Sequence, residues 1–172
     1  MKKLILLTAV AGLFAFSSVN AQTKAPKLSV GAEFAFPMGD FGDGMNLGYG
    51  GSLQYQHPVA ENLLVTGSAG YLNFQSKEIL GQKINTGFVP VKVGARYYFG
   101  EYFFGSAEVG AAIGTKDGVG TRFAYTPGIG VDFPVSDGGS IELGARYEGW
   151  SKGDALVAPS FIGLRLAYNF GL

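Results

Sequence analysis

From residue 28 onward, apolar and non-apolar positions alternate with period two, the spacing that puts successive side chains on opposite faces of a strand. The clearest run sets Val89, Val91, Val93, Ala95, Tyr97 and Phe99 against Pro90, Lys92, Gly94, Arg96 and Tyr98. A second sets Phe123, Tyr125, Pro127, Ile129, Val131 and Phe133 against Arg122, Ala124, Thr126, Gly128, Gly130 and Asp132. A third opposes Ile141, Leu143, Ala145 and Tyr147 to Glu142, Gly144, Arg146 and Glu148, and a fourth opposes Ile162, Leu164, Leu166, Tyr168 and Phe170 to Gly163, Arg165, Ala167 and Asn169. Weaker alternation predicts further strands at 28–36, 49–57, 63–74 and 102–114. In 63–74 the favoured apolar face is Leu63, Val65, Ala69 and Tyr71, although Leu64, Leu72 and Phe74 lie opposite. No stretch after residue 21 is a convincing amphipathic helix, because glycine recurs every few residues.

The connections alternate in length. Segments 37–48, 75–87, 115–121 and 151–158 are long and rich in Gly, Asp, Lys and Ser, whereas 58–62, 100–101 and 134–139 are tight. Eight strands joined this way predict an all-β fold: an eight-stranded antiparallel up-and-down barrel with a loop end and a turn end. Strands of about 9–11 residues are also what a tilted membrane crossing requires.

The N-terminus follows a different pattern. Lys2 and Lys3 precede an apolar run over 4–16, and small residues lead to Ala21. This predicts an export signal over 1–21 cleaved after Ala21, with 22–172 as the barrel domain. The run is too short to span a bilayer, which takes about 20 apolar residues.

Composition decides which face meets what. Charged residues are 15%, aromatics 14%, and there are 28 glycines. A soluble barrel would carry Lys, Glu, Asp and Thr on its outer face. Here the less apolar face is mostly Gly, Ala, Ser, Thr and Gln, which suits a tight interior, and eight strands leave a lumen just wide enough for side chains to fill. The other face is a band of Val, Ile, Leu and Ala ending in Tyr and Phe, as expected for lipid contact with aromatic girdles. The apolar face is therefore expected outside, making the barrel transmembrane. The alternative, an exported soluble barrel binding a small apolar ligand, needs the reverse orientation.

That orientation places Glu33, Glu108, Glu142 and Glu148 in the lumen with Lys92, Arg96, Arg146 and Arg165. An unpaired buried charge costs several kcal/mol, so an ion-pair network that plugs the barrel is expected. If Phe99 pairs with Phe103 across the turn at Gly100, Glu108 faces Gly94 and lies diagonal to both Lys92 and Arg96.

The segments GARYYF (94–99), FAYTPGIGVDF (123–133), ELGARYEG (142–149) and IGLRLAYNF (162–170) resemble the small outer-membrane β-barrel family of OmpA/OmpX type, including its single-domain members labelled outer membrane β-barrel or porin-family proteins. The resemblance spans 28–172. It implies residence in the outer membrane of a Gram-negative-type envelope, with outer-membrane lipid and the barrel-assembly machinery as partners. It also implies that Tyr168 and Phe170 form the C-terminal assembly signal, although here Gly171 and Leu172 follow.

Candidate chemistry is sparse. Neutral formal charge without a basic block argues against nucleic-acid binding. The absence of cysteine removes thiol enzymes, disulfide scaffolds and cysteine metal sites. The lone histidine, His57, precedes Pro58 at the turn end on the lipid side, where no general base is expected. Glu142 and Glu148 have arginine neighbours and are expected to pair rather than catalyse. Asp40 and Asp43 in GDFGDG lack the remaining ligands of a calcium loop. Neither Gly118-Val119-Gly120 nor Gly128-Ile129-Gly130 opens a helix, so neither is a phosphate loop. Pro90 and Pro127 remove ladder donors inside strands, and a bulge or irregular pairing is expected near Pro127. The chain is expected to be non-enzymatic, with no cofactor or metal. Its role would be structural or surface-interacting, with Trp150, Phe41 and Met45 as loop contacts or, for Trp150, an interface anchor. A narrow porin-like channel for small solutes is the alternative; no ligand is indicated.

Overall fold

The computed structural model describes residues 25–77, 85–116, 118–152 and 158–172. The expected signal segment, its cleavage point and parts of the loops at 75–87 and 151–158 lie outside those residues. The described residues form strands β1 (Lys27–Pro37), β2 (Met45–Ala60), β3 (Leu63–Ser76), β4 (Asn85–Tyr98), β5 (Phe103–Gly114), β6 (Thr121–Ser136), β7 (Gly139–Trp150) and β8 (Ser160–Gly171). Each pairs antiparallel with the next, and β8 pairs with β1, closing an eight-stranded barrel. Closure leaves no open edge, so the ladders serve the backbone groups that hydrocarbon would otherwise leave unbonded.

Several strands run further than the alternation indicates. β2 begins at Met45, which pairs with Ser76, so the loop-end stem of this hairpin includes residues with no period-two signal. One short helix, α1 (Gly39–Gly44), occupies what the sequence reads as a loop.

Side chains divide cleanly between two faces. Val91 (45% exposed), Ile129 (65%) and Leu166 (53%) project outward. Arg96 (2%), Glu33 (4%) and Lys92 (5%) project inward. In β3, Tyr71 lies outside while Leu64, Leu72 and Phe74 are buried inside, as the favoured face requires. Outward aromatic residues gather at both ends: Phe36, Tyr49, Tyr71 and Phe123 toward the loops, and Tyr55, Tyr97, Phe99, Phe103 and Phe133 toward the turns.

The β4–β5 turn holds the expected register. The Phe99 amide donates to the Phe103 carbonyl at 3.0 Å, and Gly94 pairs with Glu108. Gly100 takes a φ of +115°, a conformation that favours glycine. Near Pro127 there is no bulge. The β5–β6 ladder runs through it unbroken, while on the β7 side positions 126 and 127 are left out of the pairing and the register resumes unchanged. Pro90 has the same effect on the β3 side of β4. A missing N–H interrupts one ladder only, because each residue's backbone groups point toward a single neighbour. Register shifts lie instead at strand ends, two of them beside Pro58 and Pro134.

Candidate functional site

The lumen is the one place where polar chemistry converges among the described residues, and β-alternation puts it there: every second residue of eight strands points to one axis. It has three levels.

At the middle, the eight charged residues singled out from the sequence meet in a continuous chain of alternating sign. Arg96 Nη1 lies 2.6 Å from Glu142 Oε2, and Glu142 Oε1 takes Arg165 Nη1 at 2.7 Å. Arg165 Nε reaches Glu33 Oε1 at 3.2 Å, and Glu33 Oε2 takes Arg146 Nη1 at 2.5 Å. Arg146 Nε lies 3.1 Å from Glu148 Oε2, which also takes Lys92 Nζ at 2.8 Å. Lys92 is 3.9 Å from Glu108 Oε2. Gln54 then closes a ring: its amide donates to Glu108 Oε1 at 3.0 Å, and its oxygen accepts from Arg96 Nη2 at 3.0 Å. Further donors and acceptors flank the ring. Thr66 donates to Glu108, and Arg165 donates to Ser29 and Ser52. Glu108 therefore sits diagonal to two cations but makes one long ion pair, with Lys92. Arg96 turns across the lumen to Glu142 and lies over the Phe104 ring, 3.8 Å from its centroid.

At the turn end lies a second polar group that the sequence reading left out. Asp132 Oδ2 takes Lys27 Nζ at 2.8 Å and the Tyr98 hydroxyl at 2.8 Å, and Asp132 Oδ1 takes Asn169 Nδ2 at 2.9 Å. Asp132 belongs to the inward face of its strand, which was the available signal; Lys27 lies one residue before the alternation becomes visible. Beside this group, Leu64, Tyr98 and Phe104 form a buried cluster.

The loop end is filled by apolar side chains. Ala35, Leu72, Phe74, Phe88, Ala112, Ala124, Trp150 and Phe161 form one buried cluster, with Phe41, Met45 and Val119 packed against it. Phe74 stands edge-to-face with Trp150 (centroids 6.0 Å), Phe161 (5.4 Å) and Phe41 (5.2 Å). Trp150 is therefore neither an outward loop contact nor an interface anchor, while Phe41 and Met45 pack half-buried against the cluster. Trp150 is 2% exposed, and its indole N–H donates to Glu148 Oε1 at 2.8 Å. Helix α1 folds Phe41 back over the barrel mouth, so an aromatic residue in a polar loop segment finds an apolar partner.

Of the other residues singled out, His57 Nδ1 lies 3.3 Å from the Tyr55 hydroxyl at the turn end. Phe170 is exposed on the outer wall, and its ring sits 4.7 Å from that of Tyr168. Each lumen carboxylate has at least one cation within 4 Å, an arrangement suited to holding charge still.

No family model matches this chain, and no curated protein sequence does. Solved structures do. The crystal structure of Neisserial surface protein A superposes with a TM-score of 0.63 at 13% identity, covering 86% of this chain and 97% of that one. The attachment invasion locus protein Ail of Yersinia pestis gives 0.56 at 17% identity, covering 87% and 100%. A de novo designed transmembrane β-barrel gives 0.51 at 14% identity, covering 86% and 98%. At these identities the likeness is one of fold: the chain has the architecture of small outer-membrane eight-stranded barrels.

Proposed function

We propose that this chain is an integral outer-membrane barrel without enzymatic activity, one that contributes a rigid wall and four displayed loops to the envelope. The observation that carries the reading is the division of faces. Large apolar side chains cover the outside, aromatic residues gather toward both ends, and paired charges occupy the inside. Such an outside is unfavourable in water and favourable against acyl chains. It also counts against an exported soluble barrel, whose apolar residues would meet in the middle.

In this reading residues 1–21 direct export, and the assembly machinery inserts the barrel with Tyr168 and Phe170 of the last strand as its signal. The lumen is plugged, which separates this reading from the narrow solute channel. Membrane fractionation combined with heat-modifiable gel migration tests location and closure together. The expected result is an outer-membrane band that shifts on boiling; release with the soluble periplasm would refute the reading. Planar-bilayer recording of the purified barrel is expected to show no stable open channel, and regular unitary steps would favour the solute channel.

A further inference from the structure

The ring of ion pairs is not packed solid. A cavity of about 60 Å³ lies within it, touched by seven of the eight ring residues and by Ser52, Ser68 and Ser106. Its size follows from sequence: β2, β3 and β5 line it with the small residues Ser52, Ser68, Gly70 and Ser106, where larger side chains would fill the space. Two buried polar atoms on its lining have no protein partner, Arg96 Nε and Ser68 Oγ. At about 30 Å³ per water, a space of this volume holds roughly two waters. Leu72 of the loop-end cluster and Phe104 of the turn-end cluster also line it. The cavity thus lies between the two apolar groups.

We propose that the lumen is a hydrated chamber sealed by an apolar gate at each end, and that these gates, rather than the ion ring, close the barrel. The chamber binds water, with Arg96 Nε and Ser68 Oγ as anchors, and has the polarity to pass small hydrogen-bonding solutes once both gates are removed. The upper gate is the Phe74, Phe88, Trp150 and Phe161 cluster under Phe41. The lower is Leu64, Tyr98 and Phe104, braced by the bond from the Tyr98 hydroxyl to Asp132. Apolar constrictions block a pore by expelling water. The ring carries five of its eight members on β1, β7 and β8, and on the β2–β5 side small residues, Ser52, Ser68, Gly70 and Ser106, stand among Gln54, Lys92, Arg96 and Glu108. The inference rests on the membrane-barrel reading and changes what does the plugging.

The test is conductance of three folded variants in planar bilayers, with folding checked by heat-modifiable migration: Phe74→Ala/Phe161→Ala (upper), Phe104→Ala (lower) and their combination. Wild type and the two partial variants are expected to stay at baseline, while the combination gives resolved steps. A folded combination that stays silent overturns the proposal, because the ring itself then seals. Steps from either partial variant overturn the two-gate arrangement. A second measurement needs no substitution: water-to-protein magnetisation transfer in lipid nanodiscs. Signal at the Arg96 Hε and the Ser68 amide supports a wet chamber, and its absence at both overturns it. Steps from wild type would instead refute the non-conducting function proposed above, so the two failures are distinguishable.

Discussion

Glu142→Ala isolates the energetic weight of the ring. The carboxylate accepts from Arg96 Nη1 at 2.6 Å and from Arg165 Nη1 at 2.7 Å, in a side chain 2% exposed. After truncation Arg165 keeps Glu33, Ser29 and Ser52. Arg96, also 2% exposed, keeps the neutral oxygen of Gln54 and the face of Phe104. The result is one guanidinium buried without a counter-ion, which costs about 3–5 kcal/mol. With a urea dependence of about 2 kcal/mol per molar, the unfolding midpoint falls by roughly 1.5–2.5 M. The assay is urea unfolding of the barrel folded in detergent or vesicles, followed by the fluorescence of the single tryptophan, Trp150, and by gel shift. Arg96→Met combined with Glu142→Leu should recover much of the loss, since an apolar replacement of the pair leaves no stranded charge. Glu108→Ala supplies the comparison. Glu108 has one ion pair at 3.9 Å and two neutral donors, and Lys92 keeps Glu148, so its loss is about 1–3 kcal/mol. If Glu142→Ala proved no more destabilising than Glu108→Ala, the assignment of Arg96 to Glu142 would be wrong.

Three further outcomes follow from the geometry. Val91→Arg, on the outer wall near the middle of β4, should cost about 2–4 kcal/mol in a bilayer; an unchanged urea midpoint in vesicles would count against lipid contact there. Gly110→Val should lower stability by at least about 1–3 kcal/mol and weaken the heat-modifiable band, because a Cβ at Gly110 runs into the backbone of Val91 and Lys92 on β4. Trp150 emission should be little affected by brominated acyl chains, since its ring lies inside the barrel mouth; strong quenching would place it in lipid.

What the sequence exposes is whatever period two carries. Strand identity, barrel orientation and the pairing of Gly94 with Glu108 follow from alternation and one tight turn. The partner of each charge does not. Arg96 meets Glu142 from three strands away, and Glu33 meets Arg146 only because β1 lies beside β8. Alternation says which residues share the axis, whereas closure, tilt and side-chain length decide who touches whom. The apolar lumen clusters were harder still. Phe74 shares its face with Leu64 and Leu72 and so blurs the alternation of its strand. Phe88 and Phe161 lie just before the clear alternation of theirs, and Trp150 falls at the end of its strand. An inward aromatic residue near a barrel mouth breaks the two-class pattern on which the reading depends. Asp132 shows the opposite case, since its face was legible and its partner Lys27 was not.

The seam between the first and last strands gives assembly a direction. Glu142 gains Arg165 only when β8 arrives, and Arg146 and Arg165 gain Glu33 only when β8 docks against β1. A sheet one strand short would carry unmatched ions facing what is to become an oily surrounding. The final docking event cancels them together, so a half-built intermediate is disfavoured and completion works as a latch.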